Sequence, residues 1–132
     1  MGVPFGFSVG DFISIGQLAW SVYEQCRKSP GQYGSLASEV LQLRNTLQNL
    51  QDLIEQRDLG AEKEAQLLER GQSCYELLAE LENMVRKYES LGTQHRRAWD
   101  RVMWDQQGGR DMRTRLTSNN TLLSAFYNNI TR

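Results

Sequence analysis

The sequence predicts an all-α fold, an antiparallel four-helix bundle with one additional short helix. In four segments, apolar residues recur at alternating spacings of three and four, which is the pattern of amphipathic helices. Only two prolines occur, and no segment alternates with the period of two that half-buried strands require. Breaks at Pro30, Gly60, Gly92 and Gly108 return the chain on itself and argue against one extended coiled coil. The length predicts a single domain over residues 1–132.

The first predicted helix spans Val9 to Lys28 and is the most apolar part of the chain. Its main seam has spacings of 3, 4, 3 and 4 and consists of Phe12, Ile15, Ala19, Val22 and Cys26. Ile13, Trp20 and Tyr23 widen the apolar surface beyond one stripe. A helix that is apolar nearly all round is usually buried, so we expect it at the centre of the core, with Trp20 buried.

The same segment has a second interpretation, as a helix that binds a membrane or a protein partner. The candidate residues are Phe5, Phe7, Phe12, Ile13 and Trp20. A stable transmembrane span needs about 20 predominantly apolar residues, and polar residues such as Asp11 and Gln17 interrupt this run. No Lys or Arg precedes Arg27, which argues against a secretory signal. The sequence leaves both interpretations, a core helix and a binding helix, open.

The second predicted helix begins at Ser29 and ends near Gly60. Ser29 is placed to cap the helix, Pro30 suits the first helical position, and Gln32 completes the spacing of a capping box. The helix has the most regular seam of the chain: Tyr33, Leu36, Val40, Leu43, Leu47, Leu50 and Ile54.

The third predicted helix spans about Ala61 to Leu91 and carries two apolar stripes. The main seam is Leu67, Gly71, Cys74, Leu78, Leu81, Val85 and Tyr88, and the parallel stripe is Leu77, Met84 and Leu91. Two stripes indicate contact with two neighbouring helices. Gly71 costs about 1 kcal/mol of helix propensity relative to Ala, so we expect a bulky side chain, such as a Trp, to approach it closely.

Two further helices are predicted after Gly92. A short one has Trp99, Val102 and Met103 on one side, and a last one spans about Arg110 to Ile130. The seam of the last helix is Met112, Leu116, Asn119, Leu123, Phe126 and Ile130. Asn119 is polar inside this seam, so we expect a buried amide that fixes register at some cost in stability.

The formal net charge is −1, but the charge is unevenly distributed. Residues 1–90 carry a charge of −5 and residues 91–132 a charge of +4. The candidate basic patch consists of Arg96, Arg97, Arg101, Arg110, Arg113 and Arg115. These arginines either pair with the acidic third helix within the bundle or face a phosphate-bearing surface such as an anionic membrane.

The chain lacks the residue patterns of known catalytic and cofactor sites. His95 is the only histidine and has no metal-ligand cluster around it in sequence, and Gly108-Gly109 lacks the Lys-Ser/Thr of a phosphate loop. Cys26 and Cys74 lie on apolar seams and are predicted to be buried thiols of a reduced, cytoplasmic protein. We therefore expect no enzymatic activity, cofactor, metal, nucleic-acid partner or small-molecule substrate.

Five segments together resemble one group of helical domains. They are FGFSVGDFI at residues 5–13, LAWSVY at 18–23, SPGQY at 29–33, EVLQLRNTL at 39–47 and LTSNNTLLSAF at 116–126. The chain is similar to the helical N-terminal domains of fungal signal-transducing NTPases, the NLR-like receptors with NACHT-type cores. These domains are related to the HeLo, HeLo-like and SesA group, and more distantly to the four-helix bundles of necroptosis executioners.

The resemblance implies a HeLo-like fold and a signalling role. It implies the N-terminal module of a longer multidomain protein, acting through homotypic or partner contacts in self-recognition, heterokaryon incompatibility and programmed cell death. The alternative that it implies is a membrane-permeabilising executioner. In that alternative the apolar N-terminal helix, about residues 5–28, inserts into lipid after the protein relocates to the plasma membrane. If residues 1–132 are the whole protein, we expect a stand-alone adaptor.

Overall fold

The computed structural model describes residues 9–29, 33–90 and 108–131, in which every regular element is helical. The helices are α1 (Val9–Lys28), α2 (Ala37–Gln56), α3 (Ala61–Glu89) and α4 (Gly109–Ile130), and a 3₁₀ turn, Gly34–Leu36, precedes α2. The prediction of an all-helical chain is thus confirmed for these residues. The predicted short helix after Gly92, with Trp99, Val102 and Met103, and the stripe residue Leu91 lie outside them.

The predicted seams form one hydrophobic core. All five seam residues of α1 are buried, as are the α3 seam and its parallel stripe as far as Tyr88. In α2 the seam is buried from Val40 to Leu50, while Ile54 is only partly buried. Helix α1 packs against α2 and α3, and α4 packs against the same two helices. Each of α1 and α4 thus packs against both α2 and α3.

Contacts between helices follow a definite order along the chain. Trp20 lies against Arg44, and the Cys26 carbonyl oxygen near the end of α1 lies 3.7 Å from the Cβ position of Gly34 just before α2, so the order of contacts is reversed between α1 and α2. Between α2 and α4 the order is the same: Arg113 bonds Glu39 near the start of both helices, and the Arg57 guanidinium donates to the Ile130 carbonyl at their ends. Between α3 and α4 the order is again reversed, since Ser73 contacts Asn119 and Glu80 contacts Arg115.

The junction between α1 and α2 differs from the predicted capping box. The Ser29 hydroxyl donates to the Gln25 carbonyl at 2.9 Å, and the Ser29 N–H donates to the Cys26 carbonyl at 3.1 Å. Ser29 therefore ends α1, because its hydroxyl bonds back into the preceding turn instead of capping the next helix. Pro30 and Gln32 lie outside the described residues. A Cβ at Gly34 would lie 2.4 Å from the Ser29 carbonyl oxygen, so this turn requires glycine.

Gly71 is closely approached, as the seam predicts, but by different side chains. A Cβ at this position would lie 3.4 Å from both Phe12 Cζ and Ile15 Cδ1. The neighbours are thus the two inward residues of the first turns of α1 and not a tryptophan. The glycine lets the α3 backbone lie directly on them.

The buried amide of α4 is Asn120, not Asn119, so that prediction was wrong by one position. Asn120 is 4% exposed, and its amide donates to the Glu39 carbonyl at 3.0 Å. Asn119 is half-buried on the α3 side: its Oδ1 accepts from the Ser73 hydroxyl at 3.3 Å and from the Cys74 thiol at 3.4 Å. An α-helix has 3.6 residues per turn, so positions chosen at strict spacings of three and four rotate gradually around the helix relative to the core. At this turn of α4, Asn119 and Asn120 lie on either side of the centre of the buried stripe.

Candidate functional site

The candidate site is an open groove on the outer side of α1 and α2, which we call the α1/α2 groove. It encloses about 420 Å³. Its lining consists of Ile13, Gly16, Gln17 and Trp20 from α1 and Arg44, Gln48 and Gln51 from α2. Two adjacent helices thus present a surface of apolar, amide and guanidinium groups to solvent.

Trp20 is the largest apolar group of the groove, and its placement corrects the prediction of a buried core residue. It is 44% exposed, because Ala19 takes the inward position at this turn and Trp20 projects to the outer side. The indole ring lies 5.2 Å from the Tyr23 ring, and the Arg44 guanidinium carbon lies 5.1 Å from the indole centroid. Cation–π contact of this kind holds the ring in place without burying it.

The other candidate residues of the first segment are divided between the two faces of α1. Phe12 is 2% exposed and belongs to the core, whereas Ile13 is 38% exposed at one end of the groove. The expectation that Ile13 helps to make α1 buried all round was therefore wrong as well. Phe5 and Phe7 lie outside the described residues.

Gly16 lies between Ile13 and Trp20 and has open space above it. Among the described residues, no heavy atom outside the neighbouring backbone of α1 lies within 4 Å of the position that its Cβ would take. Glycine in a helix interior costs about 1 kcal/mol relative to alanine, and here no contact among the described residues makes that cost necessary. The groove therefore has a floor where a second backbone can approach α1 closely.

The α2 side of the groove is polar, with Arg44 in its lining and the carboxylates of Asp52 and Glu55 beside its two glutamines. Arg44 donates to the Asn45 side chain at 3.2 Å. Gln48 donates to Asp52 at 3.2 Å, and Gln51 donates to Glu55 at 3.5 Å. Each of these contacts is local within α2, so the charged groups remain accessible to a binding partner.

The described part of the candidate basic patch is engaged in pairs within the bundle. Arg113 bonds Glu39 at 2.7 Å and also donates to the Ser35 hydroxyl. Arg115 pairs with Glu80 of α3 at 2.8 Å and with Asp111 at 3.7 Å. These contacts match the interpretation of intramolecular pairing, with α2 as well as α3 supplying the acidic partners.

The remaining arginines of the candidate basic patch are Arg110, Arg96, Arg97 and Arg101. Arg110 is exposed and takes part in at least one polar, ring or electrostatic interaction. Arg96, Arg97 and Arg101 lie outside the described residues, as does His95.

The two cysteines are buried and free, as the seam positions predict. Burial raises the pKa of the Cys26 thiol to about 12, and the negative charge of Glu89 adds to this effect. Burial also raises the pKa of Cys74 to about 12, although Arg70 opposes the shift. Neither thiol is activated as a nucleophile, since activation requires a lowered pKa. Within residues 9–29, 33–90 and 108–131, no three His, Cys, Asp or Glu side chains group as metal ligands.

Sequence reasoning found Trp20 and Ile13 but missed the other lining residues, Gly16, Gln17, Arg44, Gln48 and Gln51. Two signals were available. Arg44 and Gln51 each directly follow a seam leucine of α2, which places them at the edge of the buried stripe. Gly16 directly follows Ile15 in the same way. Which of the many edge positions face a neighbouring helix depends on how the helices pack, and the sequence alone does not give that.

No protein-family model matches this chain, and comparison with curated proteins and with solved structures finds no significant similarity. Among the described helices, none combines the length and the apolar character needed to cross a membrane.

Proposed function

We propose that this chain is a non-enzymatic interaction module of a signalling protein, which acts through contacts made by the α1/α2 groove. The observation that carries the proposal is the exposed Trp20 with Arg44 over its ring, beside Ile13. Tryptophan and arginine are enriched among the residues that dominate the energy of protein interfaces. A ring already held by Arg44 and Tyr23 loses little freedom on binding, which favours affinity.

We also propose how the helices run relative to one another and what kind of protein contains them. The order of contacts supports a bundle in which α1 with α2, and α3 with α4, run antiparallel, while α2 and α4 run side by side in one direction. The resemblance to HeLo-like N-terminal domains supports a fungal NLR-like receptor of the cytoplasm as the parent protein. Protein partners, including downstream domains of the same chain, fit this role better than nucleic acid or a small-molecule substrate.

The alternative is a cell-death executioner in which α1 leaves the bundle and inserts into lipid. It would have to give up the core contacts of Phe12 and Ile15 with α3 and of the remaining α1 seam with the bundle. Burial of each such side chain contributes about 1.5–3 kcal/mol, so release of α1 would require a trigger that offsets this loss. The arginine-rich end would then supply the contact with anionic headgroups.

The test compares proximity labelling with membrane activity in matched variants. The chain is fused to a labelling enzyme in the organism that encodes it, as wild type, Trp20→Ala and Leu122→Ala. Leu122 is 41% exposed on α4, so it controls for loss of an exposed apolar side chain elsewhere. We expect a discrete set of labelled proteins that disappears with Trp20→Ala and persists with Leu122→Ala.

The membrane arm uses dye release from vesicles containing anionic lipid. We expect little or no release by the wild-type chain. Strong release that is lost in Arg96/Arg97/Arg101→Glu would support the executioner instead. An identical set of labelled proteins in all three fusions would contradict the proposed role of the groove.

A further inference from the structure

The α1 side of the groove has a spacing that reads the same in both directions. Ile13, Gly16, Gln17 and Trp20 follow each other at intervals of three, one and three. A two-fold axis through the middle of this set brings Ile13 of one copy to Trp20 of another and places the two Gly16 backbones close together. Two-fold dimers require such a self-complementary patch, in which each contact occurs twice.

The charges on α2 have the order that the same two-fold axis requires. Arg44 lies towards the start of the helix, and Asp52 and Glu55 lie towards its end, about 12–17 Å away at 1.5 Å per residue. Apposition of two α2 helices in opposite directions brings Arg44 of each copy to the two carboxylates of the other. Among the described residues, none of these three groups forms an ion pair.

The carboxylates are also poorly placed for α2 itself. The carboxyl end of a helix carries a partial negative charge, which favours basic residues in the last turn and disfavours acidic ones. The last turn of α2 contains no basic residue, whereas Glu55 stands in it and Asp52 one turn before. Arg57 follows the helix directly, but its guanidinium donates to the Ile130 carbonyl of α4. Arg44 of a second copy would add a positive charge beside Asp52 and Glu55.

From these observations we propose that the α1/α2 groove binds the same groove of a second copy of this chain about a two-fold axis. The proposal rests on the proposed function and names its partner. At the interface, Gly16 allows close approach of the two α1 helices, Trp20 packs beside Ile13 of the second copy, and Arg44 pairs with Asp52 and Glu55 of that copy. Arg44 stays over Trp20, so the indole and the ion pairs form one unit.

Self-binding matches the charge pattern better than an anionic membrane or a purely acidic peptide does. Asp52 and Glu55 at one end of the surface would repel either of these, while Arg44 at the other end would repel a basic partner. Electrostatic complementarity acts chiefly on specificity. The two-fold rotation brings the positive end of this surface in one copy to the negative end of the same surface in the other.

The test is a charge-swap complementation followed by sedimentation equilibrium. Wild type, Arg44→Asp and Asp52→Arg/Glu55→Arg are measured separately up to about 0.5 mM, where even a weak dimer is populated. We expect the wild type to dimerise and each variant alone to be monomeric, because like charges then face each other. An equimolar mixture of the two variants should form a heterodimer, since opposite charges meet again at both ends. Lys87→Asp and Glu76→Arg, exposed changes of the same kind on α3, should leave dimerisation of the wild-type surface unchanged.

A steric variant tests the close approach without charge. Gly16→Leu places its side chain on the solvent side of α1, so the monomer should keep its helical circular dichroism and should melt no lower than the wild type, because leucine has the higher helix propensity. The dimer dissociation constant should rise by about tenfold or more, as blocked contact at the centre of an interface predicts. A monomeric wild type, a mixture that fails to associate, or an undisturbed Gly16→Leu dimer would each overturn the proposal. Labelling of other proteins that depends on Trp20 would still uphold the proposed function, so the two are judged separately.

Discussion

Both faces of α1 carry large apolar side chains, but their environments are opposite. The inner face packs Phe12 and Ile15 against Gly71 of α3, whereas the outer face leaves Ile13 and Trp20 exposed around Gly16. Each face thus meets one glycine, and only the inner glycine has a structural reason in the described residues. Apolar character therefore identifies an interface but not its partner, and for the outer face no partner occurs among the described residues.

The largest expected effect separates the two faces directly. Phe12→Ala should lower the free energy of unfolding by about 3–5 kcal/mol, because it removes a fully buried aromatic ring and leaves a cavity. Trp20→Ala should cost only about 1 kcal/mol, the value of an exposed cation–π and aromatic contact. Urea denaturation of both variants measures the difference. A loss above 3 kcal/mol for Trp20→Ala would mean that the outer face is part of the core after all.

The next prediction concerns the exclusion of water from the core against which the inner face of α1 packs. Cys26 and Cys74 have pKa values raised to about 12 from 9.0, so they stay neutral in the fold while the unfolded chain ionises above pH 9. Their contribution to stability is therefore complete below pH 9 and is lost as pH rises from 9 towards 12. The loss should be about 1.4 kcal/mol per pH unit for each thiol. Urea midpoints from pH 7.5 to 10.5 should fall more steeply for the wild type than for Cys26→Ala/Cys74→Ala; equal slopes would contradict the burial.

A smaller difference in the free energy of unfolding is expected between substitutions of the two neighbouring asparagines of α4. Asn120→Ala should cost about 2 kcal/mol, since it removes a buried side chain and its bond to the Glu39 carbonyl. Asn119→Ala should cost about 1 kcal/mol, because Ser73 and the Arg115 carbonyl regain water when the half-buried amide is removed. Thermal unfolding of both variants decides the order. The reverse order would restore Asn119 as the buried amide that the seam predicts.

The smallest predicted effect is the difference in the free energy of unfolding between alanine substitutions at the two glycines. Gly16→Ala should raise the free energy of unfolding by up to about 1 kcal/mol, the difference in helix propensity, because among the described residues no other part of the fold lies within 4 Å of the added methyl group. Gly71→Ala gains the same propensity but brings its methyl group to 3.4 Å from Phe12 and Ile15, so a smaller gain is expected. Paired denaturation curves of the two monomeric variants measure this difference. A larger gain at Gly71 would mean that the inner face is loosely packed.

The regular seams explain why most of the fold could be predicted. A side chain at a 3/4 seam position is buried whichever helix covers it, so Leu43, Leu78 and Leu116 follow from spacing alone. The helix junction could not be predicted, because Ser29 has two possible hydrogen-bond partners and only tertiary packing chooses between them. For the candidate site, spacing gave the apolar character of Ile13 and Trp20, but their exposure depends on the position of α2 beside α1.

The Glu39 contacts have a consequence for the order in which the chain folds. Contacts between α1 and α2 close short loops, whereas Glu39 is joined to Arg113, Thr117 and Asn120 across 74–81 residues. Closing a long loop costs more entropy, so we expect the α1–α2 pair to form in the transition state and the Glu39 contacts to form after it. A Glu39→Gln variant should then unfold faster while folding at nearly the wild-type rate, which is the behaviour of a contact absent from the folding nucleus. The residues that hold α4 in place would thereby govern the unfolding rate, and so the lifetime of the native state. The residues of the α1–α2 pair, beside the groove, would govern the folding rate.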